Sequence, residues 1–165
     1  IRKFDLSAPV NLWQLRMALG VSLVLTVGQV FRVERFMWMG FACASLLSEY
    51  PYSGSTLTRF WQRLVGAVAG SCAFWVLYLV TPDAFHSLMG PLGGLCLGFC
   101  VDYRYKTAMN CFGALMLATG IYGLRGAVIL RIMDTLLGVT FGLIFAAVFH
   151  RLAAVRLLQK CIVER

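Results

Sequence analysis

The chain has 165 residues, of which 60% are hydrophobic and 13% are charged, with a formal net charge of +8 and a mean hydropathy of +0.79. About a quarter of the residues in a soluble domain are charged, and a chain this small has too much surface for its volume to bury so many apolar groups in water. The composition excludes an ordinary soluble domain and predicts an integral membrane protein. We therefore interpret the positive charge as a determinant of membrane topology and not as a nucleic-acid-binding surface.

Six apolar runs follow one another along the chain, and each is predicted to form a transmembrane helix, which makes the fold all-α. The runs cover residues 12–31, 36–48, 57–80, 84–101, 107–122 and 130–150. A transmembrane helix needs about 20 apolar residues, so the second and fifth runs are short. Turn-forming or charged residues separate the runs. The sequence thus predicts a six-helix membrane block over residues 12–152.

The two ends of the chain differ in character from this block. Residues 1–11 combine basic and apolar side chains and suit a short interfacial segment, with Asn11 as the N-cap of the first helix. Arg16 lies one turn into that helix, where its long side chain can reach back to the lipid headgroups. Residues 153–165 are predicted to form a basic amphipathic tail in the cytoplasm. The chain begins with Ile, and we expect it to be the ordered part of a longer protein.

Two segments that lie 72 residues apart share an arrangement that indicates an internal duplication. Arg59, Leu64, Gly66 and Gly70 in the first segment correspond to Arg131, Leu136, Gly138 and Gly142 in the second. Glycines spaced by four share one helix face and let a neighbouring helix come close. These four glycines are therefore predicted helix-packing positions, whereas Val68 and Val139 lie off that face.

Each copy of the repeat holds three helices, over residues 12–80 and 84–152. An odd number of crossings turns the second copy over, so the copies are predicted to be inverted, as in many secondary transporters. The short second and fifth runs occupy corresponding places in the two copies and point to a substrate path. With both termini on one side, that side holds eleven Lys and Arg residues and the other side four. This imbalance predicts that both termini are cytoplasmic and that the protein lies in the cell inner membrane.

The motifs of the two copies are similar to those of a known family. Arg59-x-x-x-Arg63-x-x-Gly66-x-x-x-Gly70, a Tyr-rich turn, and then Arg131-Ile-x-Asp134-Thr-Leu-x-Gly138 resemble the fusaric acid resistance and aromatic acid exporter family. Plant aluminium-activated malate transporters are a more distant likeness. The resemblance covers essentially the whole chain as one six-helix block. It implies efflux of organic anions such as aromatic carboxylic acids by alternating access, with proton coupling as one mode.

The same resemblance implies which partners the block has. These are the lipid bilayer, a small organic anion as substrate, a second copy of the chain or a second six-helix block, and a cytoplasmic helical domain that this chain does not contain. Two other functions stay open from the sequence. One is an anion channel, and the other is a membrane anchor or assembly subunit that transports nothing.

Candidate substrate-path residues are basic or aromatic and lie near predicted helix ends: Arg59, Arg63, Tyr105, Lys106 and Trp38. Guanidinium groups form paired hydrogen bonds with carboxylates, which favours a site for an organic acid. The alternative is that Arg59 and Arg63 are anchors on the positively charged cytoplasmic side. In that case the aromatic residues form the belt found at membrane interfaces.

Arg131 and Asp134 are spaced by three residues, which predicts an ion pair on one face of the sixth helix. The pair has two interpretations. It is a gate or proton-coupling site, or it is a structural pair in which each residue neutralises the other's charge inside the membrane.

No residue pattern in the sequence indicates catalysis. There is no nucleophile placed beside a base, no phosphate-binding loop and no cluster of metal ligands. The six cysteines contain no Cys-x-x-Cys motif and are interpreted as small buried hydrophobic residues. We therefore expect no enzymatic activity, no cofactor and no metal site.

Overall fold

The computed structural model describes residues 9–48 and 56–163, with side chains over residues 10–48 and 56–152, and its regular structure there is entirely helical. The helices are α1 (Pro9–Val30), α2 (Phe36–Leu47), α3 (Thr56–Val80), α4 (His86–Phe99) and α5 (Tyr103–Val163), with a short 3₁₀ turn (Asp83–Phe85) before α4. Most of the predicted interfacial segment, the turn at 49–55 and the side chains of the predicted tail lie outside the described residues.

Three of the described helical segments are long and apolar enough to cross a membrane: Val10–Val30, Thr56–Val80 and Tyr103–Leu152. α2 is apolar but has only 12 residues, which at 1.5 Å per residue gives a length of about 18 Å. The hydrocarbon core of a bilayer is about 30 Å thick, so α2 is too short to cross it alone. Large apolar side chains such as Phe41 and Leu117 are mostly exposed, as expected for a surface that faces lipid.

α5 bends at Gly123, where φ is 70° and ψ is 167°. Glycine adopts this conformation readily because it has no Cβ. The bend divides α5 into a first arm, residues 103–122, and a second arm, residues 124–163. The sequence predicted a wider gap between residues 122 and 130 and a separate tail after residue 152. Instead one glycine makes the break, and the helix continues through the start of the tail.

α1 and α2 form a tight antiparallel pair. α1 begins at Pro9, so Asn11 lies inside the helix and the prediction that it is the N-cap is wrong; proline suits the first turn because the amide hydrogen that it lacks has no helical partner there. The chain reverses through Arg32 and Arg35, whose φ angles are 51° and 55°. The reversal brings Gly40 of α2 against Leu25 of α1.

The buried apolar side chains form two separate clusters. One joins α1, α2 and the second arm of α5 through Val24, Met39, Cys43, Leu47 and Ala146. The other joins α3, α4 and the first arm of α5, and it includes Ala67, Phe74, Met89, Cys111, Phe112 and Leu115. α3 therefore packs mainly on the first arm of α5, and the second arm of α5 packs on α2 and, less extensively, on α1. Trp38 belongs to the second cluster although it lies on α2, the helix that supplies most of the first cluster.

The four glycines of the repeated segments lie at these exchanged contacts. A Cβ on Gly66 would come within 2.6 Å of the Arg104 carbonyl oxygen, and one on Gly70 within 2.5 Å of the Ala108 carbonyl oxygen, both on the first arm of α5. Gly138 lies directly against Met39 and Ala42 of α2, and Gly142 lies against Cys43 and Leu46 of the same helix. Gly66 and Gly70 thus face the first arm of α5, and Gly138 and Gly142 face α2, at places where helices must come close to pack.

Candidate functional site

The first candidate site lies where α3 and α5 both begin. The Cζ atom of Arg59 is 5.1 Å from the ring centroid of Tyr103, a distance at which a guanidinium group is attracted to an aromatic face. Arg63, one turn further along α3, is only 8% exposed, and its Nε atom has no hydrogen-bond partner among the described residues. The hydroxyl of Tyr103 is likewise buried without a partner. We call Arg59, Arg63 and Tyr103 the Tyr103 cluster.

The other residues predicted near this site lie on the outer side of the helix. Tyr105 is 61% exposed and Lys106 is also exposed, and the ring under Arg59 belongs to Tyr103. Arg104 is held 3.0 Å from the carboxylate of Asp102. Hydrogen bonds from the Arg104 side chain, and then from its backbone amide, lower the pKa of Asp102 below its usual value. Asp102 therefore neutralises part of the positive charge in this turn.

The second candidate site surrounds the ring of Trp38 in the first turn of α2. The Cζ atom of Arg131, on the second arm of α5, is 5.0 Å from the centroid of that ring. The Cζ atom of Arg35 is 5.2 Å from the same ring and 5.3 Å from the ring of Tyr122. Trp38 and Arg131 are 8% and 3% exposed, whereas Arg35 and Tyr122 are half-buried. We call these four residues the Trp38 cluster.

Arg131 and Asp134 are both buried, but no ion pair within 4.0 Å joins them, contrary to the prediction of a direct pair. The Arg131 Nε and Asp134 Oδ2 atoms have no hydrogen-bond partner in the described part of the chain. A spacing of three residues brings two helical side chains within reach of each other, but it does not by itself form an ion pair. A basic residue before an acidic one is also the less favourable order on a helix. The Trp38 ring occupies the position beside the guanidinium instead.

The two clusters contain corresponding arginines of the predicted duplication. Arg59 and Arg131 occupy corresponding positions of the repeated segments. Arg59 lies over the ring of Tyr103 at the start of α5, and Arg131 lies over the ring of Trp38 at the start of α2. The arginines are 72 residues apart, whereas Trp38 and Tyr103 are 65 residues apart. Because these offsets differ, an alignment of the repeated segments does not reveal the aromatic partners. Arg35 was not among the predicted site residues, because no pattern in the sequence places it beside the rings of Trp38 and Tyr122.

Arg16 has a structural role that the sequence did not predict. Its side chain is 1% exposed, so it does not reach the headgroups as predicted. Its Nη2 atom donates a hydrogen bond of 2.7 Å to the carbonyl of Leu47, the last residue of α2, and its Nη1 atom lies 3.3 Å from His150 Nε2. A helix C-terminus leaves carbonyl groups without helical partners, and a buried arginine can satisfy them. Arg16 thereby connects α1 to α2 and to the second arm of α5.

His86 has a comparable role at the end of α3. Its Nε2 atom lies 2.9 Å from the Tyr78 carbonyl oxygen and 2.8 Å from that of Thr81, so it donates to both. Its ring stacks on Tyr78 at a centroid distance of 3.8 Å. Over residues 10–48 and 56–152, no three His, Cys, Asp or Glu side chains come together as a possible metal site. Arg16 and His86 therefore both position helices through hydrogen bonds to backbone carbonyl groups.

Three helical segments long and apolar enough to cross a bilayer, together with the buried Arg131 over the Trp38 ring, indicate a multi-pass α-helical membrane protein. Residues 22–145 match the model of a family described as fusaric acid resistance protein-like, and the chain belongs to that family. This match confirms the resemblance indicated by the repeated motifs and identifies the chain, in general terms, as a membrane transport protein. No curated protein and no solved structure matches the chain. The likeness to plant malate transporters stays a prediction.

Proposed function

We propose that the chain is the membrane block of an efflux system for small organic anions such as aromatic carboxylic acids. The observation that carries this proposal is the burial of Arg63 and Arg131 without an ion-pair partner in the described structure. A charged side chain at the centre of a bilayer costs about 2.5–3.5 kcal/mol on insertion scales, so buried charges in membrane helices usually serve function. Guanidinium groups are suited to carboxylate ligands.

The positions of the two clusters support a path across the membrane. Tyr103 and Tyr122 lie at opposite ends of the first arm of α5, and 19 residues of helix have a length of about 28 Å. This length is close to the thickness of the hydrocarbon core. The Tyr103 cluster receives the anion from the cytoplasm, with Tyr105 and Lys106 attracting anions to its surface. The Trp38 cluster lies at the opposite end of the path.

We further propose that six helical segments cross the membrane as two inverted three-helix repeats, with both termini in the cytoplasm. The exchanged packing of α3 and of the second arm of α5 supports a duplicated arrangement. The contact between Arg16 and His150 supports termini on the same side, because it brings the start of α1 next to the end of the block. Alternating access then follows from movement of one repeat against the other.

Arg131 and Asp134 are proposed as the gate or the proton-coupling site. Asp134 is 2% exposed and has no cation within ion-pair distance among the described residues, which fits a carboxyl group that binds and releases a proton during transport. Proton-driven export follows if proton binding to Asp134 changes which face of the block is open. A second copy of the chain or a second six-helix block, and a cytoplasmic domain, complete the proposed transporter.

The test is transport of radiolabelled benzoate by purified protein in liposomes, with and without an imposed proton gradient. Saturable flux that depends on Arg63 and Arg131 supports the transporter. Arg125→Gln is the control, because Arg125 is exposed and outside both clusters. Single-channel currents instead of saturable flux would establish an anion channel. If no flux depends on Arg63 or Arg131, the result supports the function of a membrane anchor that transports nothing.

A further inference from the structure

We propose that the Trp38 cluster is a second anion-binding site, separate from the Tyr103 cluster, and that it binds the carboxylate of an aromatic acid. The role of this site in transport rests on the proposed function above. Anion binding at the site does not depend on that function. The observation behind it is the placement of two guanidinium groups over one ring without a directly paired carboxylate. The guanidinium groups of Arg35 and Arg131 both contact the Trp38 ring, and no carboxylate within the described structure lies within 4.0 Å of either one.

Neither of the two acidic residues closest in sequence forms an ion pair with these guanidinium groups. Asp134 is buried on the same helix as Arg131, but it forms no ion pair with it. Glu34 precedes Arg35 in the turn between α1 and α2, but it is exposed and likewise forms no ion pair. Two like charges beside one ring repel each other, and their aromatic contacts offer no hydrogen-bond acceptor of the kind that a guanidinium group needs. A bound anion supplies both the negative charge and the hydrogen-bond acceptor that the two guanidinium groups need.

The cluster has a buried end and an open end. Arg131 is 3% exposed and its Nε–H has no partner among the described residues, so it is an unsatisfied donor in the interior. Arg35 and Tyr122 are half-buried, and they give the site access to the surface. Arg35 is directed over the ring by the tight turn between α1 and α2, in which its own φ is 55°. Arg35 and Tyr122 therefore mark the side from which we infer that a ligand approaches Arg131.

The chemistry of the four side chains specifies the class of ligand. The forked guanidinium groups match the two oxygens of a carboxylate, and hydrogen bonds between charged groups are stronger than neutral ones. The Trp38 and Tyr122 rings favour an aromatic body, because aromatic rings attract one another in stacked and edge-to-face arrangements. The site should accordingly prefer benzoate to its neutral analogue benzamide, and also to cyclohexanecarboxylate, which carries the same charge without an aromatic ring.

The test measures binding of these three probes to the purified full chain in detergent, by calorimetry and by the shift in thermal unfolding. Arg35→Gln is the main variant, because Arg35 is half-buried and its loss is compatible with folding. Arg32→Gln is a matched control. Arg32 lies in the same turn, has a φ of 51° and carries the same charge, but it is exposed and contacts neither ring of the cluster. Arg63→Gln removes an arginine from the Tyr103 cluster and separates the two sites.

We expect Arg35→Gln to weaken benzoate binding at this site about tenfold or more, as for the loss of one hydrogen bond to a charged group. Arg32→Gln should change the affinity less than about twofold, because only a screened surface charge is lost. Arg63→Gln should leave benzoate binding at the Trp38 cluster unchanged. Arg131→Lys keeps the buried charge but loses the fork, and it should also weaken benzoate binding.

Equal effects of Arg35→Gln and Arg32→Gln would overturn the site, because general electrostatic attraction would then explain the binding. Equal affinity for benzoate and benzamide would overturn it as well, and equal affinity for cyclohexanecarboxylate would overturn its aromatic preference. These results are distinct from failure of the proposed function. Benzoate that binds at the Trp38 cluster but is not transported would contradict only the transport function. Transport that is insensitive to Arg35→Gln, without benzoate binding here, would contradict only this site.

Discussion

The guanidinium carbon of Arg131 lies 5.0 Å from the centroid of the Trp38 ring, on a helix that belongs to the other predicted half of the chain. Arg59 makes the corresponding contact with Tyr103 at 5.1 Å. A guanidinium group over an aromatic face contributes about 0.5–2 kcal/mol, depending on how far water is excluded. Each half thus supplies the arginine for the other half's ring. Both clusters therefore contain an arginine from one predicted half over an aromatic ring from the other half. The proposed anion sites accordingly depend on how the two halves pack.

The glycine contacts should be intolerant of larger side chains. Gly70→Leu and Gly138→Leu place a side chain against backbone atoms of a neighbouring helix, at Ala108 and Met39 respectively. Overpacking in a tight contact costs about 1–3 kcal/mol, and more where backbone must move, so each variant should unfold at a lower temperature in detergent.

Two neighbouring positions serve as controls for these glycine variants. Ala69 and Thr140 are exposed on the same helices, and a leucine at either position should be tolerated. Thermal unfolding of all four purified variants gives the comparison. If the glycine variants unfold like the Ala69 and Thr140 variants, close helix approach at these glycines contributes nothing to stability.

Arg16 is expected to be essential for stability although it lies outside both clusters. Arg16→Met removes the donor to the Leu47 carbonyl while keeping most of the side-chain volume. A hydrogen bond to a charged group contributes about 1.5–3 kcal/mol, so the variant should lose stability of this order. Arg151→Met, at an exposed position on the second arm of α5, is the control and should change little. Equal thermal unfolding of the two variants would contradict the capping role.

Asp134→Asn separates a proton-coupling role from a structural one. The amide is nearly the same shape as the carboxyl group, and Oδ2 of Asp134 has no partner to lose in the described structure, so Asp134→Asn should lose less stability than Asp134→Ala. If Asp134 carries a proton, this variant should abolish flux driven by a proton gradient. Stability and flux are measured on the same preparation.

The paired variants test the opposite interpretation. If Arg131 and Asp134 stabilise each other, Arg131→Ala and Asp134→Ala should each lower the unfolding temperature, and the double variant should recover much of the loss. Because no ion pair joins the two side chains, we expect little recovery. A large recovery together with normal proton-driven flux in Asp134→Asn would show that the pair is structural.

The orientation of the block is tested at Cys161. The distribution of Lys and Arg predicts that this residue lies in the cytoplasm. In a variant that keeps Cys161 and replaces the other cysteines by alanine or serine, a membrane-impermeant thiol reagent should label inverted vesicles and not intact cells. Arg125→Cys in the same background is the complementary control, since the opposite face should be labelled from outside. Labelling of Cys161 in intact cells would reverse the predicted orientation.

The helical membrane character of the chain and its family could be determined from the sequence alone. Both depend on local properties, because runs of apolar residues determine helices in a bilayer and short motifs identify the family. The repeated Arg and Gly positions also showed where helices were expected to meet. They did not show which helix each glycine faces, because Gly66 and Gly138 have the same local sequence pattern whatever packs against them.

Only the tertiary structure determined the partners of the buried polar residues. Arg16 donates to Leu47, which is 31 residues away, and a helical periodicity contains no information about such a contact. Val139 was assigned to a face away from the packing contacts, but it is fully buried because the second arm of α5 has neighbours on more than one side. Arg131 and Asp134 share a face as predicted from their spacing, yet no ion pair within 4.0 Å joins them. Trp38, from another helix, takes the place beside Arg131, because distant segments of the chain meet only when the helices pack.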